Sequence, residues 1–387
     1  MNILIISTAL CIAGLIIIYW LHSQHLPDIV VEPLPPPISP PLISICIPAR
    51  NEEANIRACI EAALAQDYSN FEVIVLDDRS TDSTSQILEG VAHCDSRLHI
   101  ISGSDLPSGW AGKPHALHQA STVARGEWLC FVDADTFLSP SALSSCYIKA
   151  IETHADLFTT LHHQIMDSFW EKTVMPLIMT GLTVGFNARK VNDQAKRDAI
   201  ASGQFILIRR ETYDKIGGHA AVKNEIVEDQ AIAELTKWSG HRLILADGTR
   251  VIQTRMYTSL KSMWEGWTKN IYLGLSRHRA LLFLGLFGAI LALMASLFLP
   301  VWSGLSLVWL LNDGGSLAVI VLIESFIVWV AILLARGLIA QRLGITPLYA
   351  FTTPLGAGVF AALMITSAWK VLSGTGVTWR GRRYKPS

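Results

Sequence analysis

Pairs of acidic residues follow two β-branched and aromatic runs of the sequence. Asp133 and Asp135 come directly after the run that ends at Val132, and Asp77 and Asp78 follow the run VIVL. Open α/β sheets bind ligands at the carboxyl ends of their strands. Acids at i and i+2 in such a place can share a hard divalent cation with a diphosphate, and a strand-end carboxylate can accept hydrogen bonds from a nucleobase or a ribose. An acidic surface turn is the alternative, because D-x-D alone arises by chance in many proteins.

Three more polar groups could belong to the same site. Asn51 and Glu52 follow a predicted strand in the turn PARNEE, where an α/β site would hold a nucleotide. Lys113, in SGWAGKPHAL, could pair with a phosphate as a point charge, although a solvated lysine beside a helix start is the alternative. Glu228 and Asp229 precede a helix-like stretch, and without the other groups they would be explained as ordinary first-turn acids.

These groups lie in a region, from Leu42 to about Arg255, where short apolar runs alternate with helix-like stretches. The alternation predicts an α/β fold with a mostly parallel sheet and helices on both faces. The candidate strands are Ile43–Ile47, Glu72–Leu76, Leu98–Ile101 and Trp128–Val132, separated by amphipathic stretches that begin near Glu53, Thr81 and Lys113.

The motifs PARNEE, VIVLDDRSTDST, GWAGKPHAL, FVDADTFL and IVEDQAIA, in this order, resemble those of the family 2 glycosyltransferases with a GT-A fold. The resemblance covers about Leu42–Arg279. It implies transfer of a sugar from a nucleotide-diphosphate sugar with inversion at the anomeric carbon. It also implies roles for residues of this chain: Asn51, Glu52, Asp77 and Asp78 hold the nucleotide, Asp133 and Asp135 bind the ribose and the metal–diphosphate, and Asp229 is the catalytic base.

Inversion by direct displacement is compatible with these residues. It needs a base that takes the proton of the acceptor hydroxyl and a cation that neutralises the departing nucleoside diphosphate. Asp229 would be the base, Mg²⁺ or Mn²⁺ at Asp135 and Asp133 would be the cation, and Lys113 would contact a donor phosphate.

The composition fits an enzyme attached to a membrane better than a soluble one. The 387 residues are 51% hydrophobic and 16% charged, with a mean hydropathy of +0.37. A net charge of -1 provides no field that would attract nucleic acid. The six cysteines have no CxxC spacing, so neither a zinc site nor a disulfide framework is indicated. No repeat or symmetric helix predicts an oligomer.

The N-terminal part of the chain predicts a membrane anchor followed by a linker. Ile3–Leu21 is an uncharged run of 19 residues, about the length that crosses a bilayer, so residues 1–24 are predicted as a transmembrane anchor. A cleaved signal peptide is the alternative, but its apolar part is usually shorter. Residues 25–41 are rich in proline and predict a stiff linker ahead of a catalytic domain over 42–258.

The C-terminal part predicts an interface helix, a membrane region and a basic tail. Residues 259–279 mix Trp and Tyr with Lys and Arg, as in a helix that lies in a membrane interface; a plain surface helix is the alternative. Within 280–372, Ala280–Trp302 and Ser316–Ala335 predict spans, and Leu348–Leu372 is interrupted by Thr, Pro and Gly. Residues 373–387 form the tail. Side chains that could line the acceptor side or the diphosphate exit are Glu228, Gln253, Arg255, Trp264, Trp267 and Lys269.

Arginine positions predict the orientation in the membrane. The loop between the first two spans has no Lys or Arg, whereas Arg277, Arg279, Arg336 and Arg342 lie near their opposite ends. The positive-inside rule places those ends, and the catalytic domain, in the cytoplasm of a bacterial-type cytoplasmic membrane. A third full crossing would put the basic tail outside, so either Leu348–Leu372 is re-entrant or interfacial or the rule fails here.

The membrane flanks favour a lipid acceptor. The Q-x-x-R-W motif common in processive members of the family is absent. GWAGKPHAL, EGWTKN and GVTWRGRRY are similar to features of bacterial enzymes associated with glycosylating carotenoids and hopanoids, and of ceramide glucosyltransferase relatives. The resemblance therefore implies transfer to a hydroxyl of a membrane lipid. A processive polysaccharide synthase and a non-catalytic nucleotide-sugar-binding membrane protein remain alternatives, and the donor nucleotide and sugar stay open.

Overall fold

A computed structural model describes residues 12–14, 16, 26–92, 95–276, 279–312, 314–373, 375–379 and 382–384. The chain forms two compact units. The α/β unit comprises Leu26–Ile165 and Asn187–Met256, and the helical unit comprises Met1–His25, Met166–Phe186 and Tyr257–Ser387. The predicted N-terminal anchor lies outside the described residues except at 12–14 and 16, which are helical.

Strands and helices alternate from Ile43 to Phe131, as predicted, and are interspersed from there to Thr254. In chain order the elements are β1 (Ile43–Ala49), α1 (Ile56–Leu64), β2 (Phe71–Asp77), α2 (Thr84–Ala92), β3 (Leu98–Ser102), α3 (Gly112–Val123), β4 (Trp128–Phe131), β5 (Thr136–Leu138), α4 (Ala142–Glu152), β6 (Leu157–Leu161), β7 (His163–Gln164), α5 (Phe169–Gly185), α6 (Ala188–Asn192), β8 (Ile206–Arg209), α7 (Arg210–Lys215), α8 (Gly218–Ala221), α9 (Glu228–Trp238), β9 (Leu243–Asp247) and β10 (Ile252–Thr254). The four predicted strands correspond to β1 to β4.

A seven-stranded sheet organises the α/β unit, in the order β3-β2-β1-β4-β8-β6-β9. Neighbouring strands are parallel except where β8 runs antiparallel to β4 and to β6, so the prediction of a mostly parallel sheet is confirmed. The chain runs outward from β1 to β2 and β3 and then returns to the other side of β1 as β4. The carboxyl ends of β1 and β4 therefore flank a topological switch point, where such sheets bind ligands. A small second sheet has the order β5-β10-β7.

Both faces of the large sheet are buried. On β1, Ile43, Ile45 and Ile47 belong to one apolar cluster, while Cys46 belongs to another on the opposite face. Burial on both faces explains why the strands read as continuous apolar runs rather than as alternating ones.

Part of the proline-rich segment packs on this sheet. Val31 is fully buried, and its N–H donates to the carbonyl of Asp247 at 2.8 Å. The predicted linker over 25–41 is therefore not a free spacer along its whole length, because burial of this valine holds it against the α/β unit.

The helical unit contains α5 and the C-terminal elements. These are α10 (Leu260–Ser276), α11 (Arg279–Leu311), α12 (Gly315–Arg342), a 3₁₀ turn (Pro347–Thr352), α13 (Thr353–Leu372), β11 (Val377–Trp379) and β12 (Arg382–Tyr384). Among the residues that the structure describes, three stretches are long and apolar enough to cross a membrane: Gly285–Leu311, Gly315–Arg342 and Pro347–Lys370. The interrupted third segment is thus helical from Pro347 onward.

The catalytic domain that the sequence predicts over 42–258 includes residues 166–186, but the structure groups this segment with the C-terminal helices. The reason is close helix packing. A methyl group added at Gly356 of α13 would lie 2.5 Å from the carbonyl oxygen of Thr173 on α5, so the two backbones approach where α13 has no side chain.

Candidate active site

An ion cluster joins three distant parts of the α/β unit. The Nζ of Lys113, in the first turn of α3, lies 2.6 Å from Oδ1 of Asp133 and 2.7 Å from Oε1 of Glu228. Asp133 follows β4, and Glu228 is the first residue of α9. The structure therefore brings together Lys113, Asp133 and Glu228, which the sequence singled out separately.

Asp229 lies beside this cluster and is held by backbone groups. Its Oδ2 accepts a hydrogen bond from the N–H of Gly203 at 2.9 Å, and its Oδ1 accepts one from the N–H of Gln230 at 2.8 Å. Burial and, after it, the negative charge of Glu228 raise the pKa of this carboxyl to about 6, although the ammonium of Lys113 acts to lower it. A carboxylate with a pKa near neutrality suits general-base chemistry.

Lys113 carries the positive charge of the cluster. Burial alone would lower the pKa of its ammonium, but the nearby carboxylates of Asp133, Glu228 and Asp229 outweigh that effect and hold the pKa well above its usual value. The lysine is therefore charged at neutral pH. With one ammonium among three carboxyl groups, the cluster retains an attraction for a further cation.

Gly203 completes the cluster, and the sequence analysis did not identify it. A methyl group at this position would lie 2.9 Å from Nζ of Lys113 and 3.2 Å from Oδ2 of Asp229. Only glycine at this position allows the ammonium of Lys113 and the carboxylate of Asp229 to keep their positions. The available signal was a glycine three residues before the apolar strand β8, which marks a close approach of the backbone to other groups.

Asp135 is positioned by β10. The hydroxyl of Thr254 donates to the carbonyl oxygen of Asp135 at 2.9 Å, and the N–H of Arg255 approaches the same oxygen at 3.3 Å. No group of three or more His, Cys, Asp or Glu side chains arranged to hold a metal ion occurs among the described residues.

A buried thiol connects this part of the site with Glu52. The Sγ of Cys59 lies 3.6 Å from the carbonyl oxygen of Asp133. Burial raises the pKa of the thiol, and the negative charges of Asp135 and Glu52 raise it further. Glu52 is itself buried, so the D-x-D turn and the tip after β1 share one acidic environment.

The tips that follow β1 and β2 are bonded to each other. The Oδ1 of Asn51 accepts from the N–H of Thr81 at 2.8 Å, and the Oγ of Ser80 accepts from the N–H of Asn51 at 3.0 Å. Asp77 accepts from the N–H and Oγ of Ser80, at 3.0 and 2.6 Å. Asp78 is buried, with Oδ2 4.0 Å from the guanidinium of Arg50. Asn51 and Asp77 therefore shape the two tips, and their contact with a nucleotide stays a prediction.

The predicted acceptor-side residues are divided between the two units. Gln253 is an exposed residue of β10, and its side chain leaves the strand on the face opposite to that of Thr254. Trp264, Trp267 and Lys269 lie on α10 of the helical unit. Trp267 is buried there, and its Nε1 donates to Sδ of Met175 at 3.3 Å. The roles of these residues stay predictions.

The sheet order and the acidic site at its switch point define a GT-A type of nucleotide-sugar transferase fold. Residues 44–217 match the family model "Glycosyl transferase family 2", so this part of the chain is similar to that family. The predicted fold and the predicted resemblance to this family are confirmed. Glu228 and Asp229 lie beyond the matched residues.

Known proteins that are similar to the chain include the following two relatives and one solved structure. It is 29% identical over 236 residues to a 4,4'-diaponeurosporenoate glycosyltransferase of Staphylococcus aureus strain USA300, covering 60% of this chain and 61% of that protein. The protein of the same name from strain MRSA252 is 28% identical over 260 residues, covering 65% of this chain and 68% of the relative. The mannosyltransferase PcManGT from Pyrobaculum calidifontis, solved in complex with GDP-Man and Mn²⁺, superposes with a TM-score of 0.50 and 18% identity over 96% of this chain and 98% of that one.

Proposed function

We propose that the protein is an inverting glycosyltransferase that moves a sugar from a nucleotide-diphosphate sugar to a hydroxyl of a membrane lipid. The observation that carries the proposal is the position of Asp229. Its carboxyl, with a pKa of about 6, lies beside the Lys113–Asp133–Glu228 cluster at the switch point of a GT-A sheet. The names of the relatives and of the solved structure support the same reaction class.

Asp229 is the base in this proposal. With a pKa of about 6, the carboxylate is mostly ionised at pH 7 and still basic enough to take a proton from an attacking hydroxyl. The N–H groups of Gly203 and Gln230 each bind one of its oxygens and thereby fix the plane of the carboxylate. The proton of the acceptor hydroxyl moves to Asp229 as the sugar bond forms on the opposite side from the leaving diphosphate.

Asp133 and Asp135 fit a divalent metal ion. Mg²⁺ and similar hard cations are commonly held by one or two carboxylates together with substrate phosphates. Asp133 belongs to a cluster with an excess of carboxyl groups, and Asp135 lies two positions after it, so the pair matches that donor set. Such an ion would neutralise the negative charge of the departing nucleoside diphosphate. Lys113 contributes its own positive charge to the same phosphates.

A lipid acceptor is supported by the helical unit and by the relatives. Three of its helical stretches are long and apolar enough to cross a membrane, which supports membrane association. The curated relatives are glycosyltransferases named for a carotenoid-derived acceptor. We extend the proposal to a carotenoid, a hopanoid or another glycolipid precursor as the acceptor.

Replacement of Asp229 by Asn tests the proposal. The full chain, purified in detergent with Mn²⁺, is supplied with a panel of nucleotide sugars and a lipid extract, and products are identified by mass spectrometry. We expect a glycolipid from the wild type, a loss of about 100- to 10,000-fold in Asp229→Asn, and unchanged donor affinity, because only the base is removed. Asp214→Asn, on the exposed surface of α7, is the matched control and should retain activity.

The pH dependence gives a second readout of the same site. Because the pKa of Asp229 is raised from its usual value to about 6, kcat/KM should be level above about pH 7 and fall about tenfold per unit below pH 6. A fall that begins only near pH 4 would contradict the assignment of the base. Products of many sugars would favour the processive alternative, and donor binding without turnover would favour the non-catalytic one.

A further inference from the structure

Arg336 is a buried cation inside the helical unit. It lies on α12, and only 5% of its surface is exposed. Its Nη2 donates to the carbonyl oxygens of Thr173 and Lys172 on α5, at 3.2 and 3.4 Å. Its Nε and Nη1 have no hydrogen-bond partner among the described residues, and neither has the hydroxyl of Thr173. Two nitrogen atoms of the guanidinium, and the hydroxyl of the residue whose carbonyl oxygen it contacts, therefore lack hydrogen-bond partners in the described part of the chain.

A guanidinium stays charged in proteins, so this arrangement requires a counter-anion. A buried charge without a partner is strongly unfavourable, and within a helix long and apolar enough to cross a membrane it marks a functional position by default. The donors on Arg336 and the hydroxyl of Thr173 suit a group that brings several acceptor oxygens, as a phosphate does.

An apolar cleft leads toward this cation. A cavity of about 140 Å³ lies between α11, α12 and the 3₁₀ turn with the start of α13, and its lining includes Trp329, Ile332 and Leu333 of α12. Ile332 and Leu333 precede Arg336 by four and three positions, so all three share a face of α12.

The opposite wall of the cleft leads to the same place. Thr353 lines the cleft and precedes Gly356 by one helical turn. Gly356 packs on the carbonyl oxygen of Thr173 that Arg336 contacts. Both walls therefore contain a residue within about one helical turn of Arg336 or of Gly356, which packs on its carbonyl partner.

We propose that the cleft and Arg336 together bind one anionic phospholipid of the surrounding bilayer. Its chain occupies the apolar cleft, and its head-group phosphate accepts hydrogen bonds from Nε and Nη1 of Arg336 and from the hydroxyl of Thr173. The apolar wall next to the cation selects an amphipathic lipid over a free phosphate ion. This site is separate from the proposed catalytic site and does not depend on it.

The test compares lipid retention by the full chain in nanodiscs of phosphatidylcholine containing phosphatidylglycerol at about one lipid in five. After transfer to detergent, native mass spectrometry counts the bound lipids. We expect one phosphatidylglycerol per wild-type chain and none in Arg336→Gln. Thr173→Val keeps the side-chain volume and the guanidinium, and should weaken retention about tenfold through loss of one hydrogen bond to the phosphate. Arg342→Gln removes an exposed charge from the same helix and should behave as the wild type.

Three results would overturn the proposal. The first is equal retention of phosphatidylglycerol by the wild type and a folded Arg336→Gln variant. The second is the absence of retained phosphatidylglycerol in the wild type. The third is thermal stabilisation of the wild type by inorganic phosphate in pure phosphatidylcholine that equals the stabilisation by phosphatidylglycerol, because this would assign the donors to a free anion.

Discussion

The carboxylate of Asp229 is oriented by the backbone rather than by side chains. Both of its oxygens accept from N–H groups, one from the residue that follows it and one from Gly203. Backbone donors cannot rotate away, so they fix the carboxylate more firmly than a flexible side chain would. This arrangement requires the backbone of Gly203 to lie close to the carboxylate of Asp229. The glycine is therefore as important to the geometry of the site as Asp229 itself.

We predict that Gly203→Ala lowers kcat by about 100-fold, because displacing catalytic atoms by about 1 Å has effects of this size. The new methyl group would press on Lys113 and Asp229 at 2.9 and 3.2 Å. Both contacts are with the ends of side chains, which can move, so the fold should survive. Steady-state kinetics and thermal unfolding of the purified chain check both parts.

Gly90→Ala is the matched control for this substitution. Gly90 lies on an exposed position of α2, and a methyl group there meets nothing within 4 Å. Alanine should keep activity and raise stability by up to about 1 kcal/mol through helix propensity. Normal kinetics in Gly203→Ala would show that the contact with Asp229 does not position the base.

At the scale of elements, α9 connects the two acids in its first turn to the segment that follows α6. The helix begins with Glu228 and Asp229 and carries Lys237 near its end. Lys237 is buried, and its Nζ donates to the carbonyl oxygens of Val191 and Asp198 at 2.6 Å each and to that of Lys190 at 3.1 Å. This lysine therefore ties α9 to the segment that leads into Gly203.

Lys237→Met is predicted to lower the free energy of unfolding by about 2 kcal/mol, because it leaves three carbonyl groups without a charged donor. The segment 193–203 should become more sensitive to limited proteolysis, and kcat should fall while donor affinity is kept. Lys215→Met removes an exposed lysine paired with Glu211 and should change stability by less than about 0.5 kcal/mol. Equal stability and proteolysis of the two variants would refute the anchoring role.

The elements show which parts of the structure the sequence could predict. The strands β1 to β4 were found because each is a short apolar run followed by a turn, and the acids after them were found because strand ends are marked by composition. The antiparallel direction of β8 was not predictable, since an apolar run does not encode direction. Gly203 was missed for a related reason: its importance comes from Lys113 and Asp229, which are remote in sequence.

The packing between helices could not be predicted from sequence patterns either. Residues 166–186 contain apolar side chains that suit either a soluble core or a membrane-associated bundle, and only the approach of Gly356 to Thr173 decides between them. The same packing buries Nε and Nη1 of Arg336, which have no hydrogen-bond partner among the residues that the structure describes. From the sequence, this arginine was only one of several basic residues at a helix end.

For the whole molecule, the proposed reaction depends on the side of the membrane that the α/β unit faces. The cytoplasmic orientation is a proposal that depends on the arginines around α11 and α12. Arg279 begins α11 and Arg342 ends α12, whereas the connection between these helices has no Lys or Arg. Nucleotide sugars are made in the cytoplasm, so the proposed reaction requires the α/β unit to be on that side.

Cysteine labelling in intact bacterial cells tests this orientation. The described native cysteines are all buried, so Cys11 and Cys94 are changed to Ser and single exposed cysteines are then introduced. We predict that a cysteine in place of Asn312, between α11 and α12, reacts with a membrane-impermeant maleimide in intact cells. Cysteines in place of Gln341 on α12 and Lys215 on the α/β unit should react only after permeabilisation, because the positive-inside rule keeps the arginine-rich ends in the cytoplasm.

The three positions distinguish a wrong orientation from a failed insertion. Labelling of Gln341→Cys and Lys215→Cys in intact cells, with Asn312→Cys protected, would invert the topology and remove the α/β unit from its proposed donor. Protection of all three would mean that α11 and α12 do not cross the membrane as a pair. A cysteine in place of Ser373, just after α13, extends the test to the third helix. Labelling in intact cells would indicate a full crossing against the positive-inside rule, and protection would indicate that the third helix returns to the cytoplasmic side.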